Sequence, residues 1–228
     1  MQNSSKAVVL NIINSLKPAT ILDAPCGSGW LAEGLSLAVD IDGIDLYSAP
    51  GSKYRKINKA NLDDGLPDHL GDYDCIVSCE GLEHFGNPEL FLRSVYKHLK
   101  QDGTFLITTP NTWHPQSKLQ YLARGFFPGF PCLAGKIRKG SHMHILPWPF
   151  PQLYLFLQLN HFVDIEVHGQ PLSEARHFYE KIIALPQYWY GRGKLKRAAT
   201  EDERRFWRAA SSKPALYGRH LIVTCKKG

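Results

Sequence analysis

The chain has 228 residues, of which 43% are hydrophobic, and it carries a formal net charge of +6. This length and apolar content suit one globular domain with a sizeable core. A run of about 18 apolar residues, which would predict a membrane-spanning helix, does not occur in this sequence. The N-terminus lacks the apolar stretch of a signal peptide, and the five cysteines lack metal-ligand spacing. We therefore expect a cytoplasmic protein with free thiols and no zinc.

The charge is unevenly distributed. Residues 1–170 contain 14 Lys/Arg and 16 Asp/Glu, whereas residues 171–228 contain 13 and 5. Such a basic segment is typical either of a surface that meets an anionic partner or of a solvated face.

Apolar periodicity predicts alternating helices and strands over the first half of the chain. In order these are a helix at 3–17, a strand at 20–23, a helix at 30–37, strands at 38–45, 54–57 and 73–78, a helix at 88–100 and a strand at 103–109. The alternation predicts an α/β fold with a doubly wound, mostly parallel sheet and helices on both faces. In such sheets ligands bind beyond the carboxyl ends of the strands, so strand-ending residues are the first candidates for a site.

Residues 111–150 interrupt this alternation with prolines, glycines and aromatic residues. We predict that they form a substrate lid inserted after the fifth strand, since so many aromatic residues are unfavourable in a merely flexible loop. A helix at 151–160 and a strand at 162–168 follow. A second irregular segment, the basic and aromatic insertion 169–218, precedes the last strand at 221–225, and residues 1–228 are expected to form a single domain.

The most informative stretch is the loop after the first strand, which reads Ile21-Leu22-Asp23-Ala24-Pro25-Cys26-Gly27-Ser28-Gly29. Glycines at such a turn let the backbone approach a ligand closely, and the helix that follows presents free N–H groups. The loop also satisfies the dinucleotide pattern G-x-G-x-x-[GA]. However, Asp23 would repel a phosphate, and Pro25 lacks an N–H to bind one. We therefore favour a cationic ligand such as S-adenosylmethionine, which carries a sulfonium and an ammonium group.

Three later segments complete a known pattern: Cys79-Glu80-Gly81-Leu82-Glu83-His84-Phe85, Leu99-Lys100-Gln101-Asp102-Gly103 and Thr109-Pro110-Asn111. Together with the glycine loop they resemble the class I S-adenosylmethionine-dependent methyltransferases, most of all the branch that contains quinone-biosynthesis O-methyltransferases and related enzymes of glycan and lipid pathways. The resemblance covers residues 18–110. It implies a Rossmann-like, seven-stranded sheet with an antiparallel last strand, S-adenosyl-L-methionine as cofactor and S-adenosyl-L-homocysteine as product.

The resemblance also implies which residues hold the cofactor. Asp23 and the loop residues Ala24, Cys26, Gly27 and Gly29 would hold its methionine part. Asp45 would accept hydrogen bonds from the ribose hydroxyls, with Leu46 beside it, and Asn61 and Leu62 would lie at the adenine edge. Cys79 and Glu80, at the end of the fourth strand, complete the set. Pro25 stands where the family usually has a glycine, and Asn61 where it usually has an acidic residue.

A hydroxyl acceptor needs a base to take its proton, and histidine suits this because its pKa lies near neutrality. The candidates are His84, His114, His142 and His144, with Glu83 beside His84. Structural roles stay open, because Glu83 and His84 could fix a turn and His114 could be an exposed loop residue. His142 and His144 lack a third ligand, so no metal is predicted. Magnesium shared by Glu80, Glu83 and His84 is the weaker alternative.

We therefore predict methyl transfer by in-line displacement onto a small-molecule, lipid-linked or glycan-linked acceptor, in the first place at a hydroxyl oxygen. Aromatic residues next to cations within 171–213 fit contact with an anionic membrane surface, which would make a cytoplasmic protein peripheral to the membrane. A protein-facing segment with solvated lysines fits them equally. The alternatives are a catalytically silent binding or regulatory protein, an RNA methyltransferase and an NAD-dependent oxidoreductase. Nucleic acid is the weaker partner because no RNA-binding module accompanies the basic segment. The sequence does not predict an oligomeric state.

Overall fold

The computed structural model describes residues 3–36, 38–47, 53–130, 144–170 and 174–228. In chain order the elements are α1 (Asn3–Leu16), β1 (Thr20–Asp23), α2 (Trp30–Gly34), β2 (Asp40–Asp45), β3 (Lys56–Lys59), β4 (Tyr73–Cys79), α3 (Pro88–His98), β5 (Leu99–Pro110), α4 (Pro115–Arg124), α5 (Phe150–Leu159), β6 (Phe162–Val167), α6 (Phe178–Arg197), α7 (Glu201–Ala210), α8 (Lys213–Tyr217) and β7 (His220–Lys227). Short 3-10 turns at Leu62–Asp64 and Leu82–His84 follow β3 and β4.

The seven strands form one sheet in the order β3-β2-β1-β4-β5-β7-β6. Strands β1 to β5 pair in parallel, whereas β7 runs antiparallel to both β5 and β6. The predicted mostly parallel, seven-stranded sheet with an antiparallel last strand is confirmed. The chain reverses its direction of progress across the sheet between β1 and β4, and a crevice forms at such a switch point at the carboxyl ends of the strands.

Two apolar clusters cover the two faces of the sheet. One joins α3 and α5 to β4 and β5 and contains Phe91, Phe105, Trp148 and Phe150. The other packs α1 and α2 on the opposite face and contains Val9, Ile13, Leu31 and Leu106. Since helices bury both faces, the strands β1, β4 and β5 contain runs of consecutive buried residues, as expected for a doubly wound fold.

Local signals explain most helix and strand boundaries. Asn87 caps α3 by accepting a hydrogen bond from the N–H of Leu90, and Pro88 takes the first helical position. α3 ends at His98 rather than at 100, because Leu99 already pairs with Tyr73 as the first residue of β5. α2 ends at Gly34, earlier than predicted, and β3 begins at Lys56, two residues later than predicted.

The segment 169–218 was predicted to be irregular, and this is wrong, because it contains the helices α6, α7 and α8. Within 111–150, residues 115–124 form α4, and residues 131–143, including His142 and Cys132, lie outside the described residues. The lid role of 111–150 stays a prediction. Among the helices that the structure describes, none combines the length and the apolar character needed to cross a bilayer.

Candidate active site

A cleft of about 330 Å³ opens at the carboxyl ends of β1, β2 and β4. The predicted residues on its walls are Cys26, Gly27, Asp45, Leu46, Asn61, Leu62, Cys79, Glu80 and His84. The lining is completed by Pro25, Trp30, Tyr47, Ala60, Asp63, Gly81, Phe85 and Ile145. The cleft therefore lies at the switch point of the sheet, where parallel sheets bind their ligands.

Asp45 ends β2 and presents a fixed carboxylate to this cleft. Its Oδ2 accepts the N–H of Gly27 at 2.9 Å, and its Oδ1 accepts the N–H of Tyr47 at 2.8 Å. The two bonds tie β2 to the glycine loop and orient both oxygens. A carboxylate held in this way can accept further hydrogen bonds from two neighbouring hydroxyl groups of a ligand.

Asn61 also lies on the cleft wall and caps the turn that follows β3. Its side-chain oxygen accepts the N–H of Asp63 at 3.2 Å. The capping role that an Asn at this position suggests is therefore present, and it fixes the side chain next to Leu62 in the lining.

Asp23 lies behind the cleft rather than on its wall. Its side chain is 2% exposed and accepts a hydrogen bond from the Tyr54 hydroxyl at 2.5 Å. Burial raises the pKa of Asp23 to about 7; the bond from Tyr54 opposes this shift, and the negative charge of Asp45 adds to it. Burial therefore favours the uncharged form of this carboxyl group. The cofactor role of Asp23 stays a prediction.

Ala24 and Gly29 also lie outside the lining and shape the loop instead. Ala24 is fully buried, and Gly29 is the N-cap residue before α2, with a φ of 81°. This left-handed conformation favours glycine, which explains the residue type without a ligand contact.

A second polar cluster lies next to the cleft and consists of Glu83, His84 and His144. The rings of His84 and His144 are 4.8 Å apart between centroids, and one possible ligand atom from each of the three residues lies within 4.8 Å of the others. The backbone carbonyl of Glu83 accepts the N–H groups of Ile145 and Leu146 at 2.7 and 3.1 Å. These bonds hold the segment that carries His144 against the turn after β4.

Glu83 is the buried member of this cluster. Its Oε2 accepts the hydroxyl of Thr109 at 3.0 Å, whereas its Oε1 is buried without a hydrogen-bond partner. Burial raises the pKa of Glu83 to about 8, and the charge of Glu80 adds to this shift. Nδ1 of His144 is also buried without a partner. The cluster thus offers unused polar atoms that could bind a proton or a cation.

The sequence disfavoured a metal because His142 and His144 lacked a third ligand, and His142 lies outside the described residues. In the structure His144 instead lies with Glu83 and His84, which gives three possible ligands. One carboxylate and two imidazoles are a donor set that divalent transition metals accept. The weaker alternative was a magnesium ion on Glu80, Glu83 and His84. In the structure, the Glu80 carboxylate instead contacts Thr108 and His220. The prediction of no metal stays untested.

Residues 6–164 match a family described as a methyltransferase domain. The chain belongs to this family. The ubiquinone biosynthesis O-methyltransferase of Marinobacter nauticus is 33% identical over 142 residues, which cover 56% of this methyltransferase domain protein and 57% of that relative. The chain spans about half the length of the curated relatives it matches.

Solved methyltransferases share the fold. The YcgJ protein of Bacillus subtilis has a TM-score of 0.58 at 14% identity, with 99% of each chain covered. Human N-acetylserotonin methyltransferase in complex with SAM has a TM-score of 0.56 at 12% identity, covering 98% of this chain and 51% of that one. The Rossmann-like methyltransferase fold predicted from the sequence is confirmed.

His114, a predicted catalytic base, does not line the cleft of this methyltransferase domain. It caps α4 by accepting the N–H of Gln116 on Nδ1, and its Nε2 lies 4.0 Å from Oε1 of the buried Glu180. The side chain is buried, so the exposed-loop alternative is wrong. Burial lowers the pKa of His114 to about 4, so the ring is neutral at neutral pH. Its geometry fits a helix cap better than a base.

Pro25 and Gly81 lie close together, one in each of the two loops that flank the cleft. A Cβ at Gly81 would overlap Cδ of Pro25 and lie 2.9 Å from Oγ of Ser78. The proline that replaces the usual family glycine in the first loop therefore requires a glycine in the second.

Replacing Gly81 by Ala is expected to lower the free energy of unfolding by about 1–3 kcal/mol, because the new methyl group overpacks a tight contact. Urea unfolding measures the change. Adding Pro25→Ala, which removes the overlapping Cδ, should restore most of the loss. Gly71→Ala is the matched control, since nothing lies within 4 Å of a Cβ there. A G81A protein as stable as the parent would disprove the contact.

Tyr47 and His220 lie near the cleft and were not predicted from the sequence, whereas Trp30 was expected either to wall the methionine pocket or, preferably, to pack on the sheet. Trp30 opens α2 and Tyr47 follows β2, and both line the cleft. His220 is the first residue of β7, and its Nε2 lies 3.4 Å from Oε2 of Glu80. An antiparallel strand begins at the edge where its parallel neighbours end. The predicted antiparallel last strand could therefore have indicated that its first residue, His220, lies near the cleft.

Proposed function

We propose that the protein transfers the methyl group of S-adenosyl-L-methionine to an acceptor and leaves S-adenosyl-L-homocysteine. The observation that carries this proposal is the cleft at the switch point, on which eight of the predicted cofactor residues lie together. The fixed carboxylate of Asp45 suits a ribose, and Gly27 leaves room for a close approach of the ligand. The family and the SAM complex of the human relative support the choice of cofactor.

The acceptor atom we propose is a hydroxyl oxygen of a small-molecule, lipid-linked or glycan-linked acceptor. This oxygen attacks the methyl carbon in line with the carbon–sulfur bond, the bonding pair leaves with sulfur, and the hydroxyl proton passes to a base. Our candidates for this base are Glu83, His84 and His144, whose polar atoms lie close together next to the cleft. A divalent cation on the same three residues would supply the alternative, since it lowers the pKa of a bound hydroxyl group. The O-methyltransferase relatives support oxygen as the acceptor.

Two measurements test this function. Isothermal titration should give heat for both S-adenosyl-L-methionine and S-adenosyl-L-homocysteine. Incubation of the protein with a cell extract and a donor carrying a deuterated methyl group should then give one labelled product by mass spectrometry. No heat with either ligand would overturn the proposal. Cofactor binding without a labelled product in the small-molecule, lipid or RNA fraction would favour the binding or regulatory alternative.

For a membrane partner, we propose that helix α6 lies on an anionic membrane surface. Its large apolar side chains are exposed: Phe178 is 76%, Ile182 52%, Leu185 46% and Trp189 67% exposed. Their spacing of four, three and four residues places them on one stripe about 16 Å long. The opposite face buries Glu180, Ala184 and Gly191 against the protein.

The charge of α6 complements an anionic surface. The helix contains five Lys/Arg, which are Lys181, Arg192, Lys194, Lys196 and Arg197, and its one acidic residue, Glu180, is buried. Arg192 and Lys196 continue the apolar stripe at helical spacing. An apolar stripe next to cations is typical of helices that lie in the bilayer interface and attract acidic headgroups.

The substitution pair Ile182→Ser and Trp189→Ala is expected to abolish co-sedimentation with vesicles of phosphatidylcholine and phosphatidylglycerol. The unchanged protein should sediment with these vesicles and remain free with pure phosphatidylcholine. Leu159→Ser on α5 is the matched control, because this exposed leucine lies outside the stripe and should not matter. Equal binding to neutral vesicles, or no loss in the double variant, would contradict the surface assignment.

A further inference from the structure

The carboxylates on the cleft wall differ in what holds them. Asp45 is held by two backbone N–H groups, and Asp63 accepts the N–H of Gly86 at 2.8 Å. Glu80 is held by side chains from two other strands, Thr108 of β5 and His220 of β7. The Glu80 carboxylate is therefore held by side-chain groups, whereas the other two carboxylates are held by backbone N–H groups.

The backbone of Glu80 is itself constrained. Its φ is 52°, in the left-handed region that a non-glycine residue rarely adopts. Its N–H donates to the carbonyl and to the hydroxyl of Thr108 at 3.0 and 3.1 Å, and the same hydroxyl donates to Oε1 at 3.0 Å. Strained conformations persist where the surroundings over-determine them, and they cluster at functional sites.

His220 completes the constraint from the other side. Its side chain is 15% exposed, and the pairing of His220 with Pro110 places it at the strand edge that borders the cleft. Nε2 faces Oε2 of Glu80, whereas Nδ1 is buried without a hydrogen-bond partner. A neutral ring with its hydrogen on Nε2 satisfies this contact, because the carboxylate only accepts.

We propose that His220 is a positioning residue, which holds the Glu80 carboxylate on the cleft wall so that its charge favours S-adenosyl-L-methionine over S-adenosyl-L-homocysteine. This inference rests on the proposed function. The donor carries a positive sulfonium, and the product sulfur is neutral, so a carboxylate in the cleft attracts the donor and releases the product more readily. Glu80, unlike Asp23, is among the residues that line the cleft.

The test compares the dissociation constants of both ligands by isothermal titration. Glu80→Gln keeps the shape and removes the charge, so the dissociation constant of S-adenosyl-L-methionine should rise about tenfold and that of S-adenosyl-L-homocysteine less than about twofold. His220→Leu should shift the two ligands with the same asymmetry. His220→Gln, whose amide can donate to the same oxygen, should restore the parent ratio. The double variant E80Q/H220L should be no weaker than E80Q alone.

A matched control is His168→Leu. Nε2 of His168 contacts the hydroxyl of Thr224 at 2.7 Å, farther along β7, and its loss should leave both constants unchanged. Equal weakening of both ligands by Glu80→Gln or His220→Leu, a changed ratio in His220→Gln, or a further loss in the double variant would overturn the inference. Failure of the unchanged protein to bind either ligand would instead overturn the proposed function. Circular dichroism identifies any variant that does not fold, and the two Gln variants then carry the test.

Discussion

Asp45→Ala is expected to raise the dissociation constants of S-adenosyl-L-methionine and S-adenosyl-L-homocysteine about a hundredfold or more. The carboxylate oxygens are already oriented by the N–H groups of Gly27 and Tyr47. Each charge-assisted hydrogen bond to a ribose hydroxyl contributes about 1.5–3 kcal/mol, so the loss of two reaches this magnitude. Both ligands carry the ribose, and both should weaken equally. Isothermal titration measures the effect.

Two further variants make this result specific. Asp45→Asn keeps one side-chain oxygen as acceptor and should give an intermediate affinity. Asp40→Ala is the matched control, because Asp40 lies at the opposite end of the same strand and forms only an exposed ion pair with Arg55 at 2.9 Å. Unchanged binding in Asp45→Ala would show that the cleft does not hold the ribose at this residue.

Residues at the ends of strands were predictable because their position depends on local sequence. Each apolar run fixes where a strand ends, and parallel strands bring their carboxyl ends to one edge of the sheet. Asp45, Glu80 and His84 therefore appear together on the cleft although they are far apart in the sequence. Because the last strand is antiparallel, its first residue, His220, lies at this same edge.

The orientation of individual side chains depended on distant partners and could not be predicted. Asp23 is not among the residues that line the cleft, and its carboxyl group accepts the hydroxyl of Tyr54, from the region before β3. The buried ring of His114 lies next to Glu180, which comes from a helix that the sequence did not predict. His144 lies near Glu83 because the next two residues, Ile145 and Leu146, donate backbone hydrogen bonds to Glu83 across some sixty residues. None of these contacts leaves a periodic pattern.

Helix α6 was missed because its composition favours a loop. Pro186, Gly191 and Gly193 disfavour a helix interior, and its largest apolar side chains are exposed instead of buried. Tertiary packing overrides these propensities. A Cβ at Gly191 would overlap Oγ of Ser211, which follows α7, so the glycine allows the two helices to approach closely.

Glu83→Gln is expected to lower the rate of methyl transfer about 10²–10⁴-fold, the range that a positioned acid–base group contributes. The amide keeps the shape of the side chain but neither takes a proton nor binds a cation as a carboxylate does. Glu83 is not among the described residues that line the cofactor cleft, so the dissociation constant of S-adenosyl-L-methionine should change little. Transfer of the deuterated methyl group to the labelled product measures the rate, and Glu89→Gln, an exposed partner of Arg93, is the matched control.

Stability separates this effect from unfolding. The pKa of Glu83 is about 8 in the folded protein and is raised by burial from 4.5, so folding favours the protonated form. The unchanged protein should therefore lose stability as the pH rises from about 4.5 to about 8, and this loss should be complete above that range. Glu83→Gln removes the buried charge, so urea unfolding near pH 9 should show a variant at least as stable as the parent.

Chelation then separates the two chemical roles of Glu83. Where a cation bound to Glu83, His84 and His144 takes part, a chelator should abolish transfer by the unchanged protein, and added Mg²⁺ or Mn²⁺ should restore it. Where Glu83 acts as the base itself, the chelator should have no effect while Glu83→Gln remains inactive. A Glu83→Gln protein with the parent rate would remove Glu83 from the mechanism.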